Sequence, residues 1–144
     1  MSVIIMVQNI KNNLLIFIFS LILMPGYAQD IPKFFTQGPE EGLKEALVYY
    51  NIKHPDIVYA QAILETGHFK SIKCTKCNNL FGLYDSKNKG YYFFNHWVES
   101  VKAYKDLIQY KYKGGNYYLF LHRIGYARDK KYIDKLKNLV KRYE

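Results

Sequence analysis

The stretch from Tyr59 to Ser71 constrains the fold more than any other part of the chain. Its first half has the composition and spacing of a helix, and Gly67 predicts where that helix ends, because glycine is the residue most often found just past a helix terminus. Glu65 therefore stands in the last helical turn. The helix macrodipole disfavours a carboxylate at that end, so helix stability does not explain its presence there.

The spacing of this helix also predicts the surroundings of Glu65. At 100° per residue, Ile57, Ala60 and Leu64 share the expected core face, and Ile63 lies beside it. Glu65 lies at the border of that face, on the stripe that holds Val58, Gln61 and Ala62. We expect it to be partly buried, and burial raises the pKa of a carboxyl, which then can act as a general acid. A solvated glutamate near a helix end is the alternative interpretation.

The first 28 residues have the features of a secretory signal. The apolar run from Leu14 to Met24 is too short to cross a bilayer comfortably, and no acidic residue precedes it. The small residues Gly26 and Ala28 predict cleavage after Ala28. We therefore expect a secreted or periplasmic protein with one domain at 29–144 and no stable membrane insertion after cleavage. An uncut N-terminal anchor is the alternative.

The composition favours a long anionic partner. The chain carries 21 Lys and Arg against 12 Asp and Glu, and it contains 15 Tyr. In an exported protein such a balance suits cell-wall polymers, acidic glycans or nucleic acid, although positive charge also serves solubility. Export and the lack of a recognition motif argue against nucleic acid. Tyrosine rings can stack on sugar faces, and they also serve as core and surface residues.

The remaining pattern predicts a mainly helical α+β domain. Helices are expected to begin at Pro39, at Pro55, after a cap at Asn95, after a cap at Asn116 and after a cap at Asp129. The apolar face of the last helix is expected to be Ile133, Leu136, Val140 and Tyr143. Residues 68–96 read as non-helical, with a hairpin turn at 84–90 and a return strand at 91–94.

Two cysteines, Cys74 and Cys77, lie in the non-helical stretch. They supply only half of a tetrahedral zinc site, and no histidine stands at partner spacing, so no metal is predicted. In an exported chain the pair either forms a disulfide that closes a tight turn or stays as two thiols. A redox motif would need a preceding strand and a following helix, which the pattern does not indicate.

Several motifs in sequence order resemble the bacterial glucosaminidase domain, glycoside hydrolase family 73, whose members are like mannosyl-glycoprotein endo-beta-N-acetylglucosaminidase. The matching segments are Ala60–Gly67, Asn78–Gly82, Glu99-Ser100 with Tyr104, and Gly125–Tyr132. The likeness spans about residues 43–143. It implies a lysozyme-like fold, in which a helical bundle and a short β-hairpin lobe enclose a sugar-binding cleft.

The resemblance also implies a function and a set of site residues. It implies a hydrolase that cuts the N-acetylglucosaminyl β-1,4 bond of peptidoglycan without a cofactor, with Glu65 as catalytic acid and Tyr126 as an active-site tyrosine. We expect a monomer, and another GlcNAc-containing glycan is the alternative substrate. The expected substrate-binding residues are Asn78, Asn79, Phe81, Gln61 and Tyr84. Turn chemistry is an equally good explanation of the two asparagines, and both roles can coexist.

A second catalytic carboxylate is the point where the pattern departs from the family. Between Gly82 and Asn95 the only acid is Asp85, on the hairpin, and the next is Glu99, which suits the first turn of a helix. One protein acid is sufficient when the 2-acetamido group of the substrate acts as internal nucleophile. Substrate assistance is therefore favoured, and Asp85 remains a candidate second acid.

Two other functions fit the same sequence. A muramidase or lytic transglycosylase would keep the fold and cut a different bond with one glutamic acid. A non-catalytic cell-wall-binding module would use the basic, tyrosine-rich surface to hold glycan, and the missing second carboxylate would then reflect lost activity.

Overall fold

Helices dominate the structure, a computed structural model that describes residues 31–143. Within that range six α-helices are present: α1 Pro39–Tyr49, α2 Pro55–Thr66, α3 Ile72–Cys77, α4 Trp97–Leu107, α5 Tyr117–Arg123 and α6 Tyr132–Tyr143. Two 3-10 turns, Lys33–Phe35 and Gln109–Lys111, accompany them. The mainly helical α+β class is confirmed. The predicted signal segment, residues 1–28, lies outside the described residues.

The helix ends that depend on local chemistry were predicted correctly. α1 and α2 begin at prolines 39 and 55, and α2 ends at Thr66, followed by Gly67 in the left-handed conformation with φ +55°. The Asn116 side chain caps α5 by accepting the Leu119 N–H at 3.1 Å.

The cap of α4 differs from the prediction. His96, rather than Asn95, is the capping residue, and its Nδ1 accepts the Val98 N–H at 3.3 Å. The Asn95 N–H instead donates to Glu99 Oε2 at 3.1 Å. Glu99 therefore holds the chain entering the helix, as expected for an acid in a first turn.

Residues 68–96 contain a helix that the sequence pattern did not indicate. α3 is nucleated by Ser71, whose carbonyl accepts the Thr75 N–H at 3.0 Å. The hairpin is correspondingly shorter than expected. It consists of β1 Tyr84–Asp85 and antiparallel β2 Gly90–Tyr91, with Tyr84 opposite Tyr91. The predicted strand at 92–94 is absent, because those residues bond to Leu83 and Cys77 outside any sheet.

The core lies between α1, α2, α4 and α6, and it corrects two predicted helix faces. On α2 Ala60 and Ile63 are buried as predicted, and the stripe of Val58 and Ala62 is buried as well, whereas Ile57 and Leu64 are only half-buried. On α6 the buried residues are Tyr132, Leu136, Leu139 and Val140. Because α2 packs against both α1 and α6, its most buried stripe is the one that leads to Glu65.

Helix length also bears on membrane association. Among residues 31–143, every helix is too short or too polar to cross a bilayer.

Candidate active site

Glu65 lies in the wall of an open cleft of about 690 Å³. Its side chain is partly buried in the last turn of α2, as the helical pattern predicted. The opposite wall comes from the β-hairpin, and the end of α4 with its 3-10 turn and the loop after α5 complete the lining. A carboxylate in this position is shielded from bulk water on one side and open to a ligand on the other.

Gly82 makes room for the Glu65 carboxylate. Its backbone has φ +60°, and a Cβ built there would lie 2.9 Å from Glu65 Oε2. The left-handed conformation already disfavours other residues, and the close approach excludes any side chain that does not displace the carboxylate. The Asn78–Gly82 motif therefore shapes the cleft around Glu65 through the residue that has no side chain.

Tyr126 joins the loop after α5 to the same segment. Its hydroxyl donates to the Phe81 carbonyl at 2.8 Å. Burial, with smaller contributions from Tyr132 and Glu65, raises the pKa of Tyr126 well above its usual value. The phenol therefore stays protonated, and its proton is directed at Phe81, so the hydroxyl presents an acceptor oxygen.

Tyr132 is a site residue that the sequence reasoning missed. It begins α6, and its hydroxyl is near enough to the Glu65 carboxyl for the two groups to interact. Burial is the main reason that the pKa of Tyr132 lies far above its usual value, and the neighbouring Glu65 raises it further. Tyr132 belongs to the same motif as Tyr126, Gly125–Tyr132, and this membership is the feature of the sequence that could have identified it as a site residue.

Gln61 lies behind the cleft wall and is fully buried. Its Oε1 accepts the Tyr104 hydroxyl at 2.6 Å, and its Nε2 donates to the Tyr132 hydroxyl at 3.3 Å. Gln61 therefore does not line the cleft, where it was expected to bind substrate, and it is connected to Glu65 through Tyr132. A buried amide with both ends engaged holds its neighbours in place.

The two asparagines of the motif are bound to the backbone around them. Asn79 is buried, accepts the Leu83 N–H at 2.9 Å and donates to the carbonyls of Leu83 and Tyr92. Asn78 has φ +50° and donates to the Phe94 and Asn95 carbonyls. Turn chemistry accounts for both side chains, and they tie the hairpin lobe to the helical part.

Phe81 and Tyr84 both line the cleft. The Phe81 ring is buried, with its centroid 4.6 Å from that of Tyr104, so it forms part of the cleft floor. The Tyr84 ring is 55% exposed and is supported edge-on by Tyr91 at 5.4 Å. An exposed, supported ring of this kind is suited to stacking on a sugar face.

Asp85 is engaged in the hairpin turn. Its carboxylate accepts the Lys87 N–H at 2.9 Å and the Asn88 side-chain amide at 2.6 Å. These bonds, that from Asn88 first, lower the pKa of Asp85. Neighbouring residues of the hairpin line the cleft, but Asp85 is not among the lining residues. The geometry assigns it a structural part, and its role as second acid stays a prediction.

The cleft contains charged and aromatic residues that the sequence did not single out. Lys87 on the hairpin and Lys111 on the 3-10 turn place two cations in its walls. Asp106 is the other carboxylate of the lining, and Lys102 binds it at 2.6 Å. Tyr110 adds a second exposed ring, with the Lys111 ammonium 5.5 Å from its centroid.

Cys74 and Cys77 are free thiols, one turn apart on α3. Of the two alternatives open at the sequence level, the structure shows the reduced pair, and burial raises the pKa of Cys74. Within the described part of the chain, no cluster of three or more His, Cys, Asp or Glu is arranged to hold a metal ion.

A mainly helical domain with a small hairpin and one partly buried carboxylate in an open cleft has the architecture of a lysozyme-like glycoside hydrolase. A glucosaminidase family model, described as mannosyl-glycoprotein endo-beta-N-acetylglucosaminidase, matches residues 41–144. The chain belongs to this glucosaminidase family. No curated protein sequence matches it significantly.

Proposed function

We propose that the protein is an exported peptidoglycan hydrolase that cleaves the N-acetylglucosaminyl β-1,4 bond, with Glu65 as general acid. The observation that carries the proposal is the location of Glu65, which is partly buried in the wall of a cleft of about 690 Å³ beside Gly82 and Tyr126. The family match supports glycoside hydrolysis, and the predicted signal at residues 1–28 supports export.

Bond cleavage begins with proton donation. The Glu65 carboxyl gives its proton to the glycosidic oxygen as the bond from that oxygen to the anomeric carbon breaks. The leaving sugar departs as an alcohol, and Glu65 is left as a carboxylate. The same carboxylate then removes a proton from the incoming water, which restores the acid.

The positive charge that develops at the anomeric carbon needs a partner. Asp85 is engaged in the hairpin turn, Asp106 is paired with Lys102, and Glu99 holds the entry to α4. These engagements favour substrate assistance, in which the 2-acetamido oxygen bonds to the anomeric carbon and water later opens the cyclic intermediate.

Tyr126 is assigned to the orientation of that acetamido group. Its proton is held by the Phe81 carbonyl, so its oxygen can accept the acetamido N–H. Such a bond would point the acetamido oxygen at the anomeric carbon, and its value lies in restricting the reacting geometry.

The cations of the cleft favour peptidoglycan over neutral GlcNAc polymers. Peptidoglycan carries carboxylates on its peptide stems, or on the lactyl ether where a sugar bears no stem, whereas chitin-like and high-mannose glycans are uncharged. Lys87 and Lys111 stand in the cleft walls, and exposed Tyr84 offers a stacking surface in the same cleft.

The decisive experiment compares Glu65→Gln with the wild type on purified cell walls. The amide keeps the shape of the side chain and removes the proton donor, so activity should fall by at least about 10²–10⁴-fold while the fold persists. Glu45→Gln, an exposed site on α1, is the matched control and should be fully active. Full activity of Glu65→Gln would falsify the assignment.

Mass spectrometry of the released fragments identifies the bond. Reducing-end N-acetylglucosamine is expected. Reducing-end muramic acid would indicate a muramidase, and anhydro-muramic ends would indicate a lytic transglycosylase. Binding to walls without release of fragments, unchanged in Glu65→Gln, would indicate a wall-binding module.

A further inference from the structure

A continuous line of buried hydrogen bonds runs behind the cleft and ends at Glu65. We call it the buried chain, and its members in order are the Lys53 backbone, Gln109, Tyr117, Tyr104, Gln61, Tyr132 and Glu65. The five side chains between the two ends are each at most 7% exposed. In so dry an environment each polar hydrogen needs an acceptor, so the direction of every bond can be worked out.

The direction is set at Gln109, because a backbone N–H can only donate and a carbonyl can only accept. The Lys53 N–H donates to Gln109 Oε1 at 2.8 Å, and Gln109 Nε2 donates to the Lys53 carbonyl at 2.9 Å. This pair fixes which way the amide faces. The second hydrogen of Nε2 is then directed at the Tyr117 hydroxyl, 3.0 Å away.

The next two members, Tyr117 and Tyr104, donate their protons in the same direction along the buried chain. The Tyr117 oxygen accepts from Gln109, and the acceptor for its own proton, among the described residues, is the Tyr104 oxygen at 2.9 Å. Tyr104 must therefore direct its proton elsewhere. Gln61 Oε1 lies 2.6 Å from it and can only accept.

The last links reach the carboxyl. With Oε1 facing Tyr104, the amide nitrogen of Gln61 faces Tyr132 and donates to its oxygen at 3.3 Å. Since that bond uses the Tyr132 oxygen as the acceptor, the Tyr132 proton needs an acceptor of its own, and the neighbouring Glu65 carboxyl can serve as one. We propose that Tyr132 is a positioning residue for Glu65, kept as a hydrogen-bond donor by a buried chain that runs in one direction from the Lys53 backbone.

This role rests on the proposed function and adds to it a residue that orients the catalytic acid before and after proton transfer. While Glu65 is protonated, the Tyr132 hydroxyl binds one carboxyl oxygen and leaves the acidic hydrogen of the other for the substrate. After the proton has moved to the glycosidic oxygen, the same hydroxyl stabilises the carboxylate. A hydrogen bond to the charged form is the stronger one, so Tyr132 favours the proton-transfer step itself.

The pH dependence of kcat can report on the hydrogen bond between Tyr132 and Glu65, because the other charges near Glu65 stay in place when the Tyr132 hydroxyl is removed. The titratable groups that interact with Glu65 are Tyr126 from the loop after α5 and Tyr132 from α6. The other titratable groups that line the same cleft are Tyr84, Lys87, Tyr92, Asp106, Tyr110 and Lys111. A shift that follows loss of one hydroxyl is therefore attributable to that hydroxyl.

The test is Tyr132→Phe, which keeps the ring beside Tyr126 and removes the donor. We expect kcat on cell walls to fall roughly tenfold to hundredfold with little change in KM, as follows from losing a hydrogen bond to a charged group. Because the carboxylate is then less stabilised, Glu65 keeps its proton to higher pH. The alkaline limb of the kcat profile should move up by about one pH unit or more.

Tyr112→Phe is the matched control, since that hydroxyl binds Gly115 and His54 outside the buried chain. It should leave kcat and the pH profile unchanged. A Tyr132→Phe variant with wild-type kcat and profile overturns the positioning role, and if Glu65→Gln is inactive at the same time, the proposed function survives. Lower activity with an unshifted profile means a structural role and also overturns it.

Tyr117→Phe tests the buried chain beyond Tyr132 and keeps the proposal open to refutation if Tyr132→Phe does not fold. It removes the link that forces the Tyr104 proton toward Gln61. We expect a smaller shift of the alkaline limb of the kcat profile in the same direction. The titration of the Glu65 carboxyl is followed by ¹³C NMR, and its signal is assigned as the one that Glu65→Gln lacks. No shift would overturn the extended chain.

Discussion

The two walls of the cleft are built by opposite means. The wall that carries Glu65 belongs to α2, with α6 packed behind it, and the polar groups of Gln61 and Tyr132 there are buried and hydrogen-bonded. The facing wall is a hairpin with strands of two residues, and Tyr84 on it is exposed.

In the proposed mechanism, this difference separates reaction chemistry from substrate recognition. Proton donation needs a carboxyl held to within a fraction of an ångström, and buried hydrogen bonds supply that rigidity. Recognition of a flexible glycan needs exposed rings and mobile charges such as Tyr84 and Lys87. Substitutions in the helical wall should therefore lower kcat, and substitutions in the hairpin wall should raise KM.

Apart from the loss of the acid itself in Glu65→Gln, the largest effect is expected for Gly82→Ala, at the point where the two walls meet. A Cβ 2.9 Å from Glu65 Oε2 displaces the carboxylate, and φ +60° strains the backbone. We expect kcat to fall about a hundredfold, as for a misplaced catalytic group. The free energy of unfolding should fall by about 1–2 kcal/mol in denaturant titrations.

Gly67→Ala is the matched control for that prediction. Gly67 has a similar φ of +55°, and a Cβ there would meet no atom within 4 Å. The loss of stability should be similar, and kcat should stay near the wild-type value. Equal losses of kcat in both variants would show that backbone strain, and not the approach to Glu65, is the cause.

The next effect concerns Tyr126→Phe. The change removes the bond to the Phe81 carbonyl and the acceptor assigned to the acetamido group. We expect a fall in kcat of about tenfold or more, with unfolding free energy lower by about 1 kcal/mol. A substrate analogue without the acetamido N–H should be cleaved equally poorly by both proteins. A kcat that stays at the wild-type level would remove Tyr126 from the mechanism.

A smaller effect, on KM alone, is expected for the double variant Lys87→Gln and Lys111→Gln. Loss of the two cleft cations should raise KM for peptidoglycan several-fold, and added salt should diminish the difference, because exposed charges are screened. Lys89→Gln, on the same hairpin but outside the cleft lining, is the control. An equal rise in KM for neutral GlcNAc oligomers would contradict recognition of anionic groups.

The smallest effect on activity is expected for Asp85→Asn. Hydrogen bonds in the turn depress the pKa of Asp85, so its contribution to stability is present above the ordinary value of 3.8 and is lost as pH falls below it. The variant should melt at a lower temperature than wild type at pH 7, and the gap should close in acid. Less than about a twofold change in kcat is expected, whereas a loss of about a hundredfold or more would make Asp85 the second acid.

Local chemistry made part of this site predictable. Pro55 and Gly67 delimit α2 by backbone geometry alone, and this places Glu65 in a last turn whatever surrounds it. The order of the family motifs predicted the fold class and the glucosaminidase family, which the match over residues 41–144 confirms. Asn116 was predicted as a cap for the same local reason.

Features that depend on partners distant in sequence were not predictable in the same way. Helical periodicity placed Ile57, Ala60 and Leu64 on the core face of α2, but packing against α1 and α6 leaves Ile57 and Leu64 half-buried and also buries Val58 and Ala62 on the neighbouring stripe. Ser71 nucleates α3 in a segment without a helical pattern. Tyr132, 67 residues beyond Glu65, has no local feature that indicates contact with it.

The sequence by itself determined the ends of α2, the position of Glu65 in its last turn and the family to which the chain belongs, because these depend on neighbouring residues and on motifs in order. Only the tertiary structure decided that Gly82 approaches Glu65, that Asn79 and Gln61 bind within the protein, and that Tyr132 lies near the Glu65 carboxyl. Burial and hydrogen-bond direction arise between segments far apart in the chain, and they exist only once those segments are packed together.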